Sequence, residues 1–229
     1  MPVDRNSARH DRDAVIGTAL ALLDEHGLPE LTMRRLAAAL GVQPSALYWH
    51  VENKQTLLAA VADRILAAAR PSPPSDADWR TATLAEVEAV RDAVLAFRDG
   101  AEVVLSTRAL GLGADAAHER LRSALSPRHD SPVAGVVATA LLDLVLGDAV
   151  LVQQRAHADV LGVTSSRVGL DPEHSDASAD APVDAVLLGA ELMLAGLELR
   201  STQPGRAQGG SPDRAARAEP VTLGTGMSA

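Results

Sequence analysis

Apolar residues recur along this chain at the spacing of an α-helix and almost nowhere at the spacing of a strand. In "DAVIGTALALLDEHG" (13–27), Ile16, Ala19, Leu20 and Leu23 fall at i, i+3, i+4 and i+7, one face of a helix. Gly27 then supplies a C-terminal stop. β-branched runs are short and no Asn-Gly hairpin turn occurs. The expected fold class is therefore all-α. Further helical patterns run over about 79–98, 115–125, 130–158 and 183–199, and no internal repeat is present. Three segments break the pattern: the Pro/Ser/Asp stretch 71–78, the polar stretch 162–182, and the Gly/Pro/Ser/Arg-rich end 201–229. The layout expected is a three-helix N-terminal head over 9–69, a larger helical body over 70–200, and a disordered tail over 201–229.

The 229 residues, 47% of them hydrophobic, suffice for one sizeable core or for a small domain fused to a larger one. With no cysteine, disulfides and thiolate metal sites are excluded. The N-terminus has no apolar stretch of the secretory kind, so a cytoplasmic protein is expected. The most apolar run, 133–152, has the length of a membrane span. Asp143 and Asp148 lie inside it, each costing about 2.5–3.5 kcal/mol near a bilayer centre. A buried helix of a soluble protein is the better reading, with no membrane partner. The net charge of −9 argues weakly against a chain that coats nucleic acid. However, residues 1–60 hold six basic and seven acidic groups, so −8 of that charge lies downstream. The head is nearly neutral and can still present a basic face.

That head contains "LTMRRLAAALGVQPSALYWHV". Thr32 can cap a helix that turns Leu36, Ala37 and Leu40 inward. Gly41 allows a tight turn and Val42 can plug the space beneath it. Gln43 precedes a proline and resists helix; Pro44 suits the first turn of the next one. Leu47 faces inward. Two short helices joined by a Gly-containing turn make a helix-turn-helix, here over 32–51. Asn53 can cap the helix that follows. Two of the chain's four aromatic residues, Tyr48 and Trp49, and its only lysine, Lys54, cluster in this stretch. With Leu47 inward, Ser45, Tyr48 and Trp49 fall on other faces of a helix barely two turns long. Such a helix fits the major groove of DNA. Tyr48 and His50 can reach phosphates or a thymine methyl, and Lys54 can neutralise a phosphate beside backbone N–H groups. Arg34, on the supporting helix, can pair bidentately with a guanine edge. The plainer alternative is a small helical domain in which Tyr48 and Trp49 are core aromatics and Lys54 is a solvated charge.

The run "LTMRRLAAALGVQPSALYWHVENKQTLLAAVADRIL" resembles the DNA-binding domain of the TetR family of bacterial repressors, and "LYWHVENKQTLL" is closest to its tetracycline-binding members. The resemblance is continuous from about 14 to 66. It resumes at "FRDGAEVVLSTRAL" (97–110), "LGDAVLVQQ" (146–154) and "LLGAELMLAGLELR" (187–200). It implies DNA contacts at Arg34, Gln43, Pro44, Ser45, Tyr48, His50 and Lys54, and Trp49 beside them is expected to join the DNA-binding set. It also implies a homodimer on a palindromic double-stranded operator and a small-molecule effector in the body. The tetracycline-binding members carry a glutamine and a proline one place later than Gln43 and Pro44, so the operator should differ. In the same members a histidine and a glutamate hold magnesium with the drug. Those positions here are Val104 and Val152, which offer no ligand to a hard cation. Arg70, Glu86, Val90 and Arg120 stand where histidine, asparagine, phenylalanine and glutamine line the pocket. The resemblance therefore implies an effector that is not magnesium–tetracycline, with no cofactor or metal.

The helix at 183–199 bears on the dimer. Val183, Val186, Leu187, Ala190, Met193 and Leu197 form one stripe, and Leu188, Leu192, Ala195 and Leu199 extend it round the cylinder. A helix apolar nearly all round is expected to be buried. Gly189, Ala190, Ala195 and Gly196 permit close approach. Paired with its symmetry mate and the helix at 130–158, it would make a four-helix interface; the alternative is the core of a monomer. Arg70 and Arg120 are read either as holding a carboxylate or phenolate, or as solvated or paired with acidic neighbours. Histidines 118, 129, 157 and 174 show no ligand spacing and read as surface or loop residues. No G-x-S-x-G, H-E-x-x-H or phosphate-loop motif occurs, so an enzyme is not expected. A helical dimer that binds a small molecule or protein but not DNA is the remaining alternative.

Overall fold

The computed structural model describes residues 11–71, 73–127, 129, 131–160, 162 and 184–202. The expected tail beyond Thr202, the stretch 163–183 and His174 lie outside them. Among the described residues the secondary structure is entirely helical. The helices are α1 (Arg12–His26), α2 (Met33–Leu40), α3 (Pro44–Leu47), α4 (Lys54–Leu66), α5 (Trp79–Leu95), α6 (Gly100–Ala109), α7 (Asp115–Leu125), α8 (Ser131–Val160) and α9 (Ala185–Thr202).

Local chemistry sets most of the boundaries. Asp11, Thr32 and Asp78 each accept a hydrogen bond from the backbone N–H three residues on, at 2.8, 3.1 and 2.9 Å. Asn53 and Thr56 form a reciprocal capping box at the start of α4. Gly41 ends α2 in the left-handed region (φ 66°), so the N–H of Val42 reaches Ala37 O at 3.0 Å. Only a glycine adopts that conformation without strain, and it sets the angle between α2 and α3.

A single continuous hydrophobic core runs from the head into the body. It joins Leu23, Leu36 and Leu47 to Leu57 and Ile65 of α4, and these to Val90, Val104, Leu121, Leu146 and Leu194. α4 packs against α1 on one side and α5, α6 and α7 on the other, so it belongs to both parts.

Polar bridges reinforce the junction. Asp99 takes a left-handed conformation (φ 55°) and accepts a 2.7 Å hydrogen bond from the Leu28 N–H in the α1–α2 loop. The Arg98 N–H donates to Asp24 at the end of α1, at 3.1 Å. At the far end of α6, Asp63 of α4 accepts from the Ala114 N–H at 3.0 Å. Gln153 of α8 staples the α5–α6 bend: its amide donates to the carbonyls of Val94 and Phe97 and accepts from the Ala101 N–H.

Within one chain the apolar residues of α8 and α9 are not buried all round. Each buries one face only. Ala138, Leu142, Val145 and Leu146 of α8 are inside, while Val136 and Leu151 are 70% and 51% exposed. On α9, Val186, Ala190, Leu194 and Leu197 are buried, whereas Met193, expected inward, is exposed with Leu188, Leu192 and Leu199. The reason is helix phase: Leu194 is buried in the core, and Met193 lies about a hundred degrees round the helix from it. Gly189 lets α9 come close, since a Cβ there would meet Leu144 at 3.1 Å. α8 is long and apolar enough to cross a membrane by length and composition. Its two internal acids are paired across the fold, Asp143 with Arg108 and Asp148 with Arg91, both at 3.1 Å.

Candidate nucleic-acid interface

The head leaves most of the residues expected to contact DNA exposed. Leu47 is buried, and Gln43, Pro44, Ser45, Tyr48 and Trp49 around it are exposed. Tyr48 and Trp49 are 54% and 89% exposed, so the reading of them as core aromatics fails. α3 is shorter than expected, one turn rather than nearly two. Pro44 has no N–H to donate, and the chain tightens after Leu47 into a turn in which the His50 N–H bonds Leu47 O at 2.9 Å. Val51 is then drawn into the core, which fixes that turn from below.

Arg34 projects into solvent from α2, whereas its neighbour Arg35 is tied to Glu30 at 2.5 Å. Lys54 is the first residue of α4 and only partly buried. Lys54 thus stands at the positive end of the α4 dipole, an arrangement suited to a phosphate. The surface thus combines a guanidinium fork, a hydroxyl, an imidazole, an ammonium and one large apolar ring.

The residues expected around an effector are not all brought together. Glu86 of α5 and Arg120 of α7 form an ion pair, Nε to Oε2 3.3 Å, beside a cavity that Pro71 and Pro73 also line. Burial lifts the Glu86 carboxyl above its ordinary pKa, and the Arg120 charge only partly reverses this. Arg70 instead folds back on its own chain and donates to the carbonyls of Ala67 and Ala69, capping the end of α4. Val90 and Val104 are fully buried in the core, and Val152 is 36% exposed on α8. Two histidines also depart from the surface reading. His129 is buried edge-on to Trp79, and His118 lies 3.2 Å from Gly135 O and Thr139 Oγ1 of α8. His157 sits 3.4 Å from Asp99.

The fold agrees with comparisons to known proteins. The model of bacterial regulatory proteins of the tetR family matches residues 15–61. The tetracycline repressor protein class C of Escherichia coli is 40% identical over 150 residues, 65% of this chain and 68% of that protein. The chain belongs to the TetR family. Among solved structures of TetR-family proteins, BioQ with its natural double-stranded DNA operator superposes with a TM-score of 0.65 at 33% identity, over 82% of this chain and 98% of that one. A single-residue variant of TetR from Acinetobacter baumannii AYE, in complex with minocycline, gives 0.64 at 30% identity, over 84% and 98%. This chain is thus a ligand-responsive TetR-family transcriptional regulator with an N-terminal helix-turn-helix. The residues that the sequence reading missed are Asp24, Asp63 and Asp99, which bind head to body, and Gln153, which holds the α5–α6 bend. Asp63, Asp99 and Gln153 do stand inside quoted stretches of the TetR resemblance, but their roles depend on contacts more than fifty residues distant.

Proposed function

We propose that the chain is a cytoplasmic homodimeric repressor that leaves a palindromic operator when a small apolar effector, not magnesium–tetracycline, enters its body. In this reading residues 9–69 form the DNA-binding domain and 70–200 the effector and dimerisation domain. The observation that carries it is the solvent-facing cluster of Arg34, Tyr48, Trp49 and Lys54 on a rigidly capped helix-turn-helix. Base contacts are assigned to Arg34, Gln43, Pro44, Ser45, Tyr48 and Trp49, and phosphate contacts to His50 and Lys54.

The dimer reading draws on the exposed apolar faces of α8 and α9. Val136, Leu151, Leu192 and Leu199 are each more than half exposed, and apolar patches of this kind mark association sites. A two-fold pairing of those faces would hold two heads one DNA turn apart. Magnesium–tetracycline is set aside because Val104 and Val152 present only methyl groups where the metal would need lone pairs.

Release follows from the shared core. α4 carries Lys54 at one end and Asp63 near the other, and Asp63 holds the turn after α6. An effector that displaces α5, α6 or α7 must move α4 with it, changing the spacing of the heads. A shift from 99:1 to 1:99 requires about 10⁴-fold tighter binding to the DNA-free form. Selection of bound duplexes from a random pool tests the reading. Two equal half-sites in inverted orientation are expected; a single half-site, or no enriched sequence, would refute it.

A further inference from the structure

The α5–α7 cavity, of about 280 Å³, has an imbalance of hydrogen-bonding groups, and the inference drawn from it rests on the body being the effector domain. Two of its polar lining groups are already committed. Glu119 is held by Arg122 through hydrogen bonds of 2.5 and 2.8 Å, and the Ser123 hydroxyl donates to the same carboxylate. Glu86 and Arg120 are not. They approach to 3.3 Å, yet Arg120 Nε and Nη2 and Glu86 Oε2 are buried without a hydrogen-bond partner among the described residues. Buried donors left unmade are costly, and here two donors face one acceptor.

Nε and Nη2 form one edge of the guanidinium, the fork that matches both oxygens of a carboxylate. Arg120 is also the more accessible partner, with its side chain 32% exposed against 14% for Glu86. Both side chains line the cavity, and the Nε–Nη2 edge is buried against Glu86, so it opens to the cavity when Glu86 moves aside. Pro71, Pro73, Ala82 and Ala124 supply an apolar wall.

We propose that this cavity takes an organic acid with an apolar body, its carboxylate replacing Glu86 on the Nε–Nη2 edge of Arg120. Glu86 then has to lose its charge or move away. Burial already raises its pKa, so proton uptake there is easy compared with an ordinary exposed carboxylate.

Calorimetry on the full chain without DNA, with naphthoate, naphthamide and naphthylmethylammonium as probes, tests this. Naphthoate should bind, and the amide and the amine should bind at least about tenfold more weakly. Glu86→Gln, which removes the competing charge, should tighten naphthoate by roughly tenfold, whereas a purely structural Glu86–Arg120 pair would give no gain. Arg120→Gln should bring naphthoate down to the level of the amide. If that variant does not fold, as judged by circular dichroism, Arg120→Lys keeps the charge and loses the fork, and should also weaken binding. Equal binding of the three probes overturns the proposal. So does absence of naphthoate binding in both wild type and Glu86→Gln, or unchanged naphthoate affinity after Arg120 is replaced. Because no DNA is present, each of these failures leaves operator binding untouched.

Discussion

Trp49 is 89% exposed and Tyr48 54%, on a head whose every leucine of the helix-turn-helix is inside. Burial of Leu36, Leu40 and Leu47 fixes the orientation of α2 and α3, and the aromatics are left outside as a consequence of that phase. On the proposed interface each exposed polar residue has a separate task, which makes the tasks separable by mutation. If Arg34 reads a guanine, Arg34→Ala should cost about 1–3 kcal/mol on the cognate duplex and relax the preference at one base pair. A loss of equal size on every duplex would remove that assignment. If Lys54 neutralises a phosphate, Lys54→Ala should weaken all duplexes alike and lower the salt slope by about one per head. A slope equal to wild type would return Lys54 to the solvated surface.

The helix ends were the most legible elements. Thr32, Gly41, Pro44 and Asn53 act within three or four residues of themselves, so their caps and turns follow from local chemistry. The sequence patterns give no helix where α6 lies, and the bend that precedes it is held from outside by Gln153 of α8 and by the left-handed Asp99. α9 was readable as a helix but not in its facing, since an apolar pattern nearly all round leaves the phase to the partner helix. Its N-terminus is set by long-range charge. Asp184 accepts the N–H groups of Val186 and Leu187 and binds Arg91 at 2.6 Å, and Arg91 also holds Asp148 of α8. Burial works against the Asp184 charge, but these hydrogen bonds and Arg91 outweigh it and keep its pKa below the usual carboxylate range. A depressed carboxylate gives stability that is present above its unfolded pKa and lost as pH falls through the folded one. Asp184→Asn should therefore destabilise at neutral pH, by under about 1 kcal/mol because solvent screens a partly exposed pair. The difference should shrink as pH falls through the carboxylate range, which thermal melts across pH would record.

At the scale of the whole molecule, head and body share one core, so α4 cannot move without both. The sequence pattern suggests a small helical head and a larger helical remainder, but not the continuity between them, which is made by residues such as Leu57, Ile65 and Val104 packing across long sequence distances. The exposed faces of α8 and α9 are the other global feature. Leu192→Glu, on the outward side of α9, should leave the fold of one chain intact and shift the protein from dimer to monomer in sedimentation, with operator affinity falling at least about tenfold. A variant that stays dimeric would place the dimer elsewhere. The central claim, sequence-specific operator binding through the head, is tested most directly by fluorescence anisotropy of the purified protein on a duplex selected from a random pool, with excess competitor DNA, between about 50 and 200 mM salt. The account predicts tight, competitor-resistant binding that falls steeply with salt. Binding that competitor abolishes, or that salt leaves unchanged, would contradict it.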